Sequence, residues 1–456
     1  MMSRQRETLW EYERGALWVL PGLAVMAALL LGGLLSSISV PNRSIMHYLV
    51  FEGTSDDARN LLIGITGTIV TVIALVLGLM VVALTLSSTQ FSPRLLRNFL
   101  RDRPNKLVLS AFVATFSYSA AGLYTVGVSA GSRSVNFPRL AVTGAILLLF
   151  VSLFALVYQV HHVSHSMQLD EIMRRVQNET QSVLRHQRVR PCDTPAPLRP
   201  PWAKEVSATR SGYVQTVHAE RLIGLADRLR MHVAVIPRIG DHVVSGSPLA
   251  WVWRDDPADA LGDVHLHDGA HHTVRLGFER TSEQDVAFGL RQLVDIASKA
   301  LSPAVNDPYT GVQAVNHLAV VMATIARRSH GTTVHEGPGG GSVTVPGWTF
   351  ADYLDLTCAQ IRRYGASEPT VIRELISLLS STAHLTDDPA RRAEILHQLD
   401  LMVSDAEREI AQPADLVDIY AAAKDLRDRL AVAQSLHAAP DPPPTVAANS
   451  PALPPR

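Results

Sequence analysis

The sequence predicts an α-helical membrane protein: four transmembrane helices followed by a C-terminal α+β soluble region. That region reads as a small β-barrel-like subdomain and then a helical subdomain. Three observations predict this. Residues 1–165 hold four apolar runs of about 20 residues or more, the length that crosses ~30 Å of hydrocarbon. Residues 202–275 change to short alternating segments bounded by turn residues. Residues 276–436 return to helical periodicity, with capping residues and prolines at the starts.

The four runs are 17–40, 61–86, 107–130 and 140–159, and none has an Asp, Glu, Lys or Arg in its interior. A soluble helix rarely stays apolar on every face for so long. The first run is longer than the core of a signal peptide and no small-residue cleavage site follows it, so it reads as a retained helix. Loop charge sets the orientation. The loop between the second and third runs carries Arg94, Arg97, Arg101, Arg103 and Lys106 against Asp102. Basic residues collect on the cytoplasmic side, which puts both termini in the cytoplasm of a cell with this chain in its inner (plasma) membrane.

Gly64 and Thr68, and Gly67 and Thr71, stand at small-xxx-small spacing in the second run, while Ser117, Ser119, Ala121 and Gly122 crowd the third. Such residues let helices approach closely, and their hydroxyls bond across helices. Bundle packing is one reading. The other is a pore of a homo-oligomer, with Thr68, Thr71 and Ser117 as lining candidates. Ion-coupled transporters place an ionisable residue near the midplane, and these runs have none, so that class is disfavoured.

Residues 166–201 form an amphipathic segment and a proline-rich linker, preceded by His161, His162 and His165 at the membrane exit. Strands follow at 211–217, 233–236, 243–244 and 249–253, with a short helix at 220–230 and a turn at Gly240-Asp241. The stretch 233–253 is similar to the small β-barrels of biotinyl and lipoyl carriers. Those carriers modify a hairpin lysine, and no lysine lies between Lys204 and Lys299, which argues against a carrier role and leaves a similarity of fold alone. His265, His267, His271 and His272 lack metal-ligand spacing and read as a solvated loop. No metal and no cofactor is expected.

Thr281-Ser282-Glu283-Gln284 reads as a capping box opening a helix. Asp307-Pro308 opens the next, which runs to about residue 326. Residues 337–341 read as a flexible loop, helices occupy 350–364, 369–383, 389–410 and 416–436, and the Pro- and Ala-rich stretch 437–456 reads as a disordered tail.

Two stretches carry a family resemblance. One is Ser87-Ser88-Thr89-Gln90-Phe91-Ser92-Pro93-Arg94-Leu95-Leu96-Arg97-Asn98-Phe99. The other runs from Glu279-Arg280-Thr281 through Gln284-Asp285-Val286-Ala287-Phe288-Gly289-Leu290 to Ala300-Leu301-Ser302-Pro303 and Asn306-Asp307-Pro308. Together they resemble a bacterial family of predicted membrane proteins. The resemblance covers about residues 10 to 430 and implies four N-terminal helices with a C-terminal soluble region. It implies no activity.

Gln90, Phe91, Ser92, Pro93 and Arg94 are candidates for a gating or coupling elbow, since Ser92-Pro93 breaks the helix and arginine can meet lipid phosphate. Asp285, Ser302, Asn306 and Asp307 are ligand-binding candidates through carboxylate, hydroxyl and amide oxygens. No catalytic residue is expected, because no nucleotide loop, Ser–His–Asp elbow, HExxH or CxxC is present. Net charge is −1, which excludes a nucleic-acid partner of the usual basic kind. Three function classes remain: an oligomeric channel or permeability regulator gated by its cytoplasmic domain, a membrane-anchored sensor or scaffold, and, least favoured, a membrane-bound enzyme.

Overall fold

The computed structural model describes residues 18–37, 50–90, 103–131, 138–166, 168–187, 197–257 and 273–437. The chain divides into two compact units, Met1–Arg175 and Val176–Arg456.

The first unit is built on α1 (Val19–Ser37), α2 (Ser55–Gln90), α3 (Arg103–Gly131) and α4 (Arg139–Ser166). All four are long and apolar enough to cross a membrane. At 1.5 Å per residue, the 36-residue α2 is about 54 Å long and overshoots the hydrocarbon layer. Its start is fixed by Thr54 and Asp57, which exchange bonds: Asp57 Oδ2 accepts from the Thr54 amide at 2.9 Å and Thr54 Oγ1 from the Asp57 amide at 3.2 Å. The bundle interior is filled by Leu62, Ile65, Ile69, Val108, Phe112 and Tyr118. Polar pairs tie α3 to α4. Thr115 and Ser152 hydroxyls lie 2.7 Å apart, Gln159 Nε2 donates to Asn105 Oδ1 at 2.9 Å, and the Tyr118 hydroxyl donates to the Ala141 carbonyl at 2.9 Å. No water competes for these groups in hydrocarbon, so the pairs satisfy them in place.

In the second unit, α5 (Leu169–His186) contributes its residues from Val176 onward. Then come β1 (Lys204–Ser207), β2 (Gly212–Val217), α6 (Ala219–Arg228), β3 (His232–Val235), β4 (His242–Val243), β5 (Pro248–Trp253) and β6 (Val274–Gly277). The chain continues through α7 (Val286–Ala300), α8 (Pro308–Ala326), β7 (Thr333–Glu336) and β8 (Ser342–Val345). It ends in α9 (Phe350–Gly365), α10 (Pro369–Ala383), α11 (Pro389–Glu409) and α12 (Pro413–His437).

The strands form an open five-stranded sheet, β1-β5-β3-β8-β7, and an antiparallel three-stranded sheet, β4-β2-β6. Among the described residues there is no closed barrel, which corrects the barrel-like expectation. The strand that would close it, β4, has two residues and pairs only with β2, while β5 is taken up by β1 and β3. The sheets share one core: Val206, Val214, Val233, Val252, Leu276 and Val343, with Leu222 and Ala226 of α6 against them. The β7–β8 hairpin, whose strand β8 runs parallel to β3, lies inside 276–436, where helical periodicity predicts a helical subdomain. The expected flexible loop 337–341 is the turn of the β7–β8 hairpin. Asp227 Oδ1 of α6 holds it by accepting from the Gly339 amide at 2.6 Å.

The helices pack around Leu290, Leu293, Leu318, Met322, Ile361, Leu375 and Leu399, all at 0% exposure. Proline opens α8, α10, α11 and α12, where the missing amide proton costs nothing. Helix α7 corrects another expectation, because it begins at Val286. Asp285 caps it, its Oδ1 accepting from the Phe288 amide at 2.9 Å. The expected box residue Gln284 instead accepts from the Val217 amide at 3.0 Å and so ties β2 to the start of α7.

Candidate functional site

A cleft of about 710 Å³ opens in the second unit. Six chain segments line it: the end of α5 (Val183, His186, Gln187), the β2–α6 corner (Val217 to Arg221), Ile239 between β3 and β4, the approach to α7 (Glu283 to Val286), the α8–β7 connection (His330, Gly331, Thr333, His335), and the β8–α9 corner with Tyr353. Val217, Val286 and Val345 supply apolar surface, and the rim carries His186, His218, Glu220, Arg221 and His335. About half of the lining residues are polar or charged, and the volume is that of a small-molecule site.

One wall is aromatic. Tyr353, 5% exposed, stacks on Trp348 with centroids 5.7 Å apart and meets His330 edge-on at 5.3 Å. Helix α9 places Tyr353 there because Thr349 and Asp352 form a reciprocal capping box that starts the helix at Phe350. Asp352 also accepts from Arg238 at 3.0 Å, and the Arg238 guanidinium sits 5.0 Å from the Trp348 ring centroid. Burial works to raise the Asp352 carboxyl, but the Thr349 bonds and Arg238 hold it below the usual carboxylate range.

Asp285 also lines the cleft. Both its oxygens are engaged: Arg280 donates from Nε at 2.8 Å and from Nη2 at 3.0 Å, alongside the Phe288 amide. Burial pushes the Asp285 carboxyl up, against the pull of Arg280 and that amide. The pair is nearly dry, with side-chain exposures of 2% for Asp285 and 23% for Arg280. Burial pushes His330 down, and Arg391 and Arg328 push in the same direction. His330 Nε2 lies 2.7 Å from the Ile325 carbonyl, so that nitrogen carries the proton.

The other sequence candidates sit elsewhere. Ser302, Asn306 and Asp307 lie in the α7–α8 turn, beyond the far end of α7 from Asp285. A 15-residue helix separates them by about 22 Å, so the four do not form one constellation. Ser302 Oγ donates to the Lys299 carbonyl at 2.7 Å. Asn306 has φ +49°, a left-handed turn that asparagine tolerates. Asp307 caps α8, accepting from the Thr310 amide at 3.1 Å and hydroxyl at 2.6 Å, and these bonds lower its carboxyl pKa. Thr68 and Thr71 are exposed on the outside of the four-helix bundle and Ser117 is half-buried. Gln90 is the last residue of α2, and Phe91, Ser92, Pro93 and Arg94 lie outside the described residues.

No group of three or more His, Cys, Asp or Glu among the described residues is placed to hold a metal ion. Burial pushes the Cys358 thiol up to about 12, which leaves it protonated and unreactive. The cleft as a whole has no local sequence signal because its walls come from six segments spread over about 170 residues, from Val183 to Tyr353. The one local trace was Thr349-x-x-Asp352, a capping box beside Trp348 and Tyr353.

Residues 14–381 match the family described as "Predicted membrane protein (DUF2254)". The chain is 41% identical over 429 residues to the uncharacterized protein Rv1290c of Mycobacterium tuberculosis, covering 92% of this chain and 82% of that protein. The same figures hold for the uncharacterized protein Mb1321c of Mycobacterium bovis. No solved structure matches the chain. The family match takes in all four apolar helices, both sheets and the helices into α10, and the chain belongs to this family of predicted membrane proteins.

Proposed function

We propose that this membrane protein is an anchored sensor: its four helices hold it in the bilayer, and the cleft of its second unit takes a small ligand. The observation that carries the reading is the cleft itself, about 710 Å³ and lined by valines and aromatic rings together with imidazole, carboxylate and guanidinium groups. In this reading the Arg-rich stretch 94–106 keeps both termini in the cytoplasm, and the membrane is the plasma membrane. The ligand-binding candidates then reduce to Asp285, which lines the cleft. Ser302, Asn306 and Asp307 remain a separate turn open to a partner.

Hydrogen exchange on the full chain in nanodiscs tests this reading, with and without a small-molecule extract of mycobacterial cells. Slower exchange confined to residues 183–187, 217–221 and 345–353 is the expected result. Unchanged exchange there, in an extract that protects other segments, would sink it.

A second reading, an oligomeric channel, draws on one feature. Thr68 and Thr71 face outward together with Gly64 and Gly67, so a pore they line lies between copies of the chain and not inside one bundle. The interior of a single bundle is filled by Leu62, Ile69, Phe112 and Tyr118, which favours the sensor. Current across planar bilayers that changes on Thr71→Val would turn the choice toward the channel.

A further inference from the structure

We infer that the cleft recognises its ligand through a hydrogen-bond-accepting oxygen, a carbonyl or carboxylate, placed against the Tyr353 hydroxyl. This rests on the reading of the cleft as a ligand site.

Tyr353 is 95% buried as a residue and lines the cleft, and its hydroxyl has no hydrogen-bond partner among the described residues while keeping some accessible surface. Its neighbour on the same wall, Trp348, has a buried indole N–H that is also without a partner. A polar group sealed from water is nearly always partnered, because leaving it unpaired costs free energy that folding does not recover, and the indole of Trp348 is such a group. Two donors without a partner among the described residues therefore belong to one stacked pair of rings.

The nearby acceptors are spent. Asp285 bonds Arg280 and the Phe288 amide, and Asp352 bonds Arg238, the Thr349 amide and the rest of its capping box. Each carboxylate has its own arginine, so this end of the cleft is close to neutral and rich in donors. Burial, with the Asp285 and Asp352 charges, raises the phenol well above its ordinary value and keeps it a donor. A ligand oxygen with free lone pairs satisfies such a wall. An ammonium group, which brings only donors, does not. Val217, Val286 and Val345 then suit an apolar body behind the oxygen head.

The test titrates three probes of one shape onto the full chain in nanodiscs, read by saturation-transfer NMR: benzamide, benzoate and benzylamine. Tyr353→Phe removes only the hydroxyl and keeps the ring stack. Ala219→Trp fills the cleft at the start of α6. The expected result is that benzamide, benzoate or both bind and benzylamine does not. Tyr353→Phe should weaken that binding about tenfold, the worth of one such bond, and Ala219→Trp should abolish it. Benzamide alone would name a neutral carbonyl, benzoate alone a carboxylate, and both support the inference. Binding that Ala219→Trp abolishes but Tyr353→Phe leaves unchanged would overturn the oxygen assignment and keep the cleft as a ligand site. Binding led by benzylamine would do the same. If none of the three binds, or Ala219→Trp changes nothing, both the inference and the sensor reading fall. Should Tyr353→Phe fail to fold, the ranking of benzamide and benzoate against benzylamine decides the head group.

Discussion

His330 shows how one side chain couples the cleft to acidity. Its ring packs on Tyr353, its Nε2–H bonds the last turn of α8, and burial holds its pKa below the usual 6.5. The unfolded chain takes up its proton near pH 6.5, whereas the folded chain resists until a lower pH. The unfolded state therefore binds more protons between those two values, and stability contributed by neutral His330 is lost as pH falls through that window. Thermal unfolding of the full chain from pH 7.5 to 5 should show the loss. His330→Gln should flatten the slope, and an unchanged slope would remove His330 as its source. At the same scale, Asp307→Ala deletes the cap that holds Thr310 and should lower stability by about 1 kcal/mol in denaturant titration. Asn306→Gly should be neutral, since its left-handed φ suits glycine.

Elements are joined by close backbone approaches that no single element displays. A Cβ on Gly341 would meet the backbone of Ala226 and Asp227 in α6, with Asp227 N at 2.5 Å. Neither atom is the end of a flexible side chain, so the β7–β8 hairpin would have to lift off α6. Gly341→Ala should destabilise the second unit more than Gly340→Ala, although Gly340 has the positive φ, because nothing lies within 4 Å of a Cβ there. Equal losses, measured by the shift in melting temperature, would show that turn strain and not the helix contact dominates. Gly289 makes a similar approach, with a Cβ there 2.9 Å from the Thr180 Cβ, so α7 and α5 need both small residues.

At the scale of the whole molecule, the second unit is closed by distant parts of the chain. Residues 202–275 hold five strands and the first half of β6 but lack β8, whose Val343 is fully buried against Val233 and its neighbours. That fragment should stay unfolded, while 176–437 should fold with a cooperative transition. A fragment from 197 should be less stable, because it loses Gln177, Gln181, Leu184 and Gln187. These bond His317, Thr324, Arg328 and Gln284 respectively. A cooperative, native-like transition in 202–275 would refute this account.

The four membrane helices were legible in the sequence because hydrocarbon imposes a length and an apolar composition that local residues alone must meet. The Asp307-Pro308 cap and the helices from 350 onward were legible for a related reason, since caps and periodicity act within a few residues. The start of α7 was misjudged by four residues because Asp285 outcompetes Thr281 as the cap once Gln284 is drawn to Val217. The open sheets, the parallel β3–β8 pair and the cleft were decided only by tertiary structure. Each depends on segments far apart in the chain meeting over one core, and no local signal records which distant strand or ring will supply the partner.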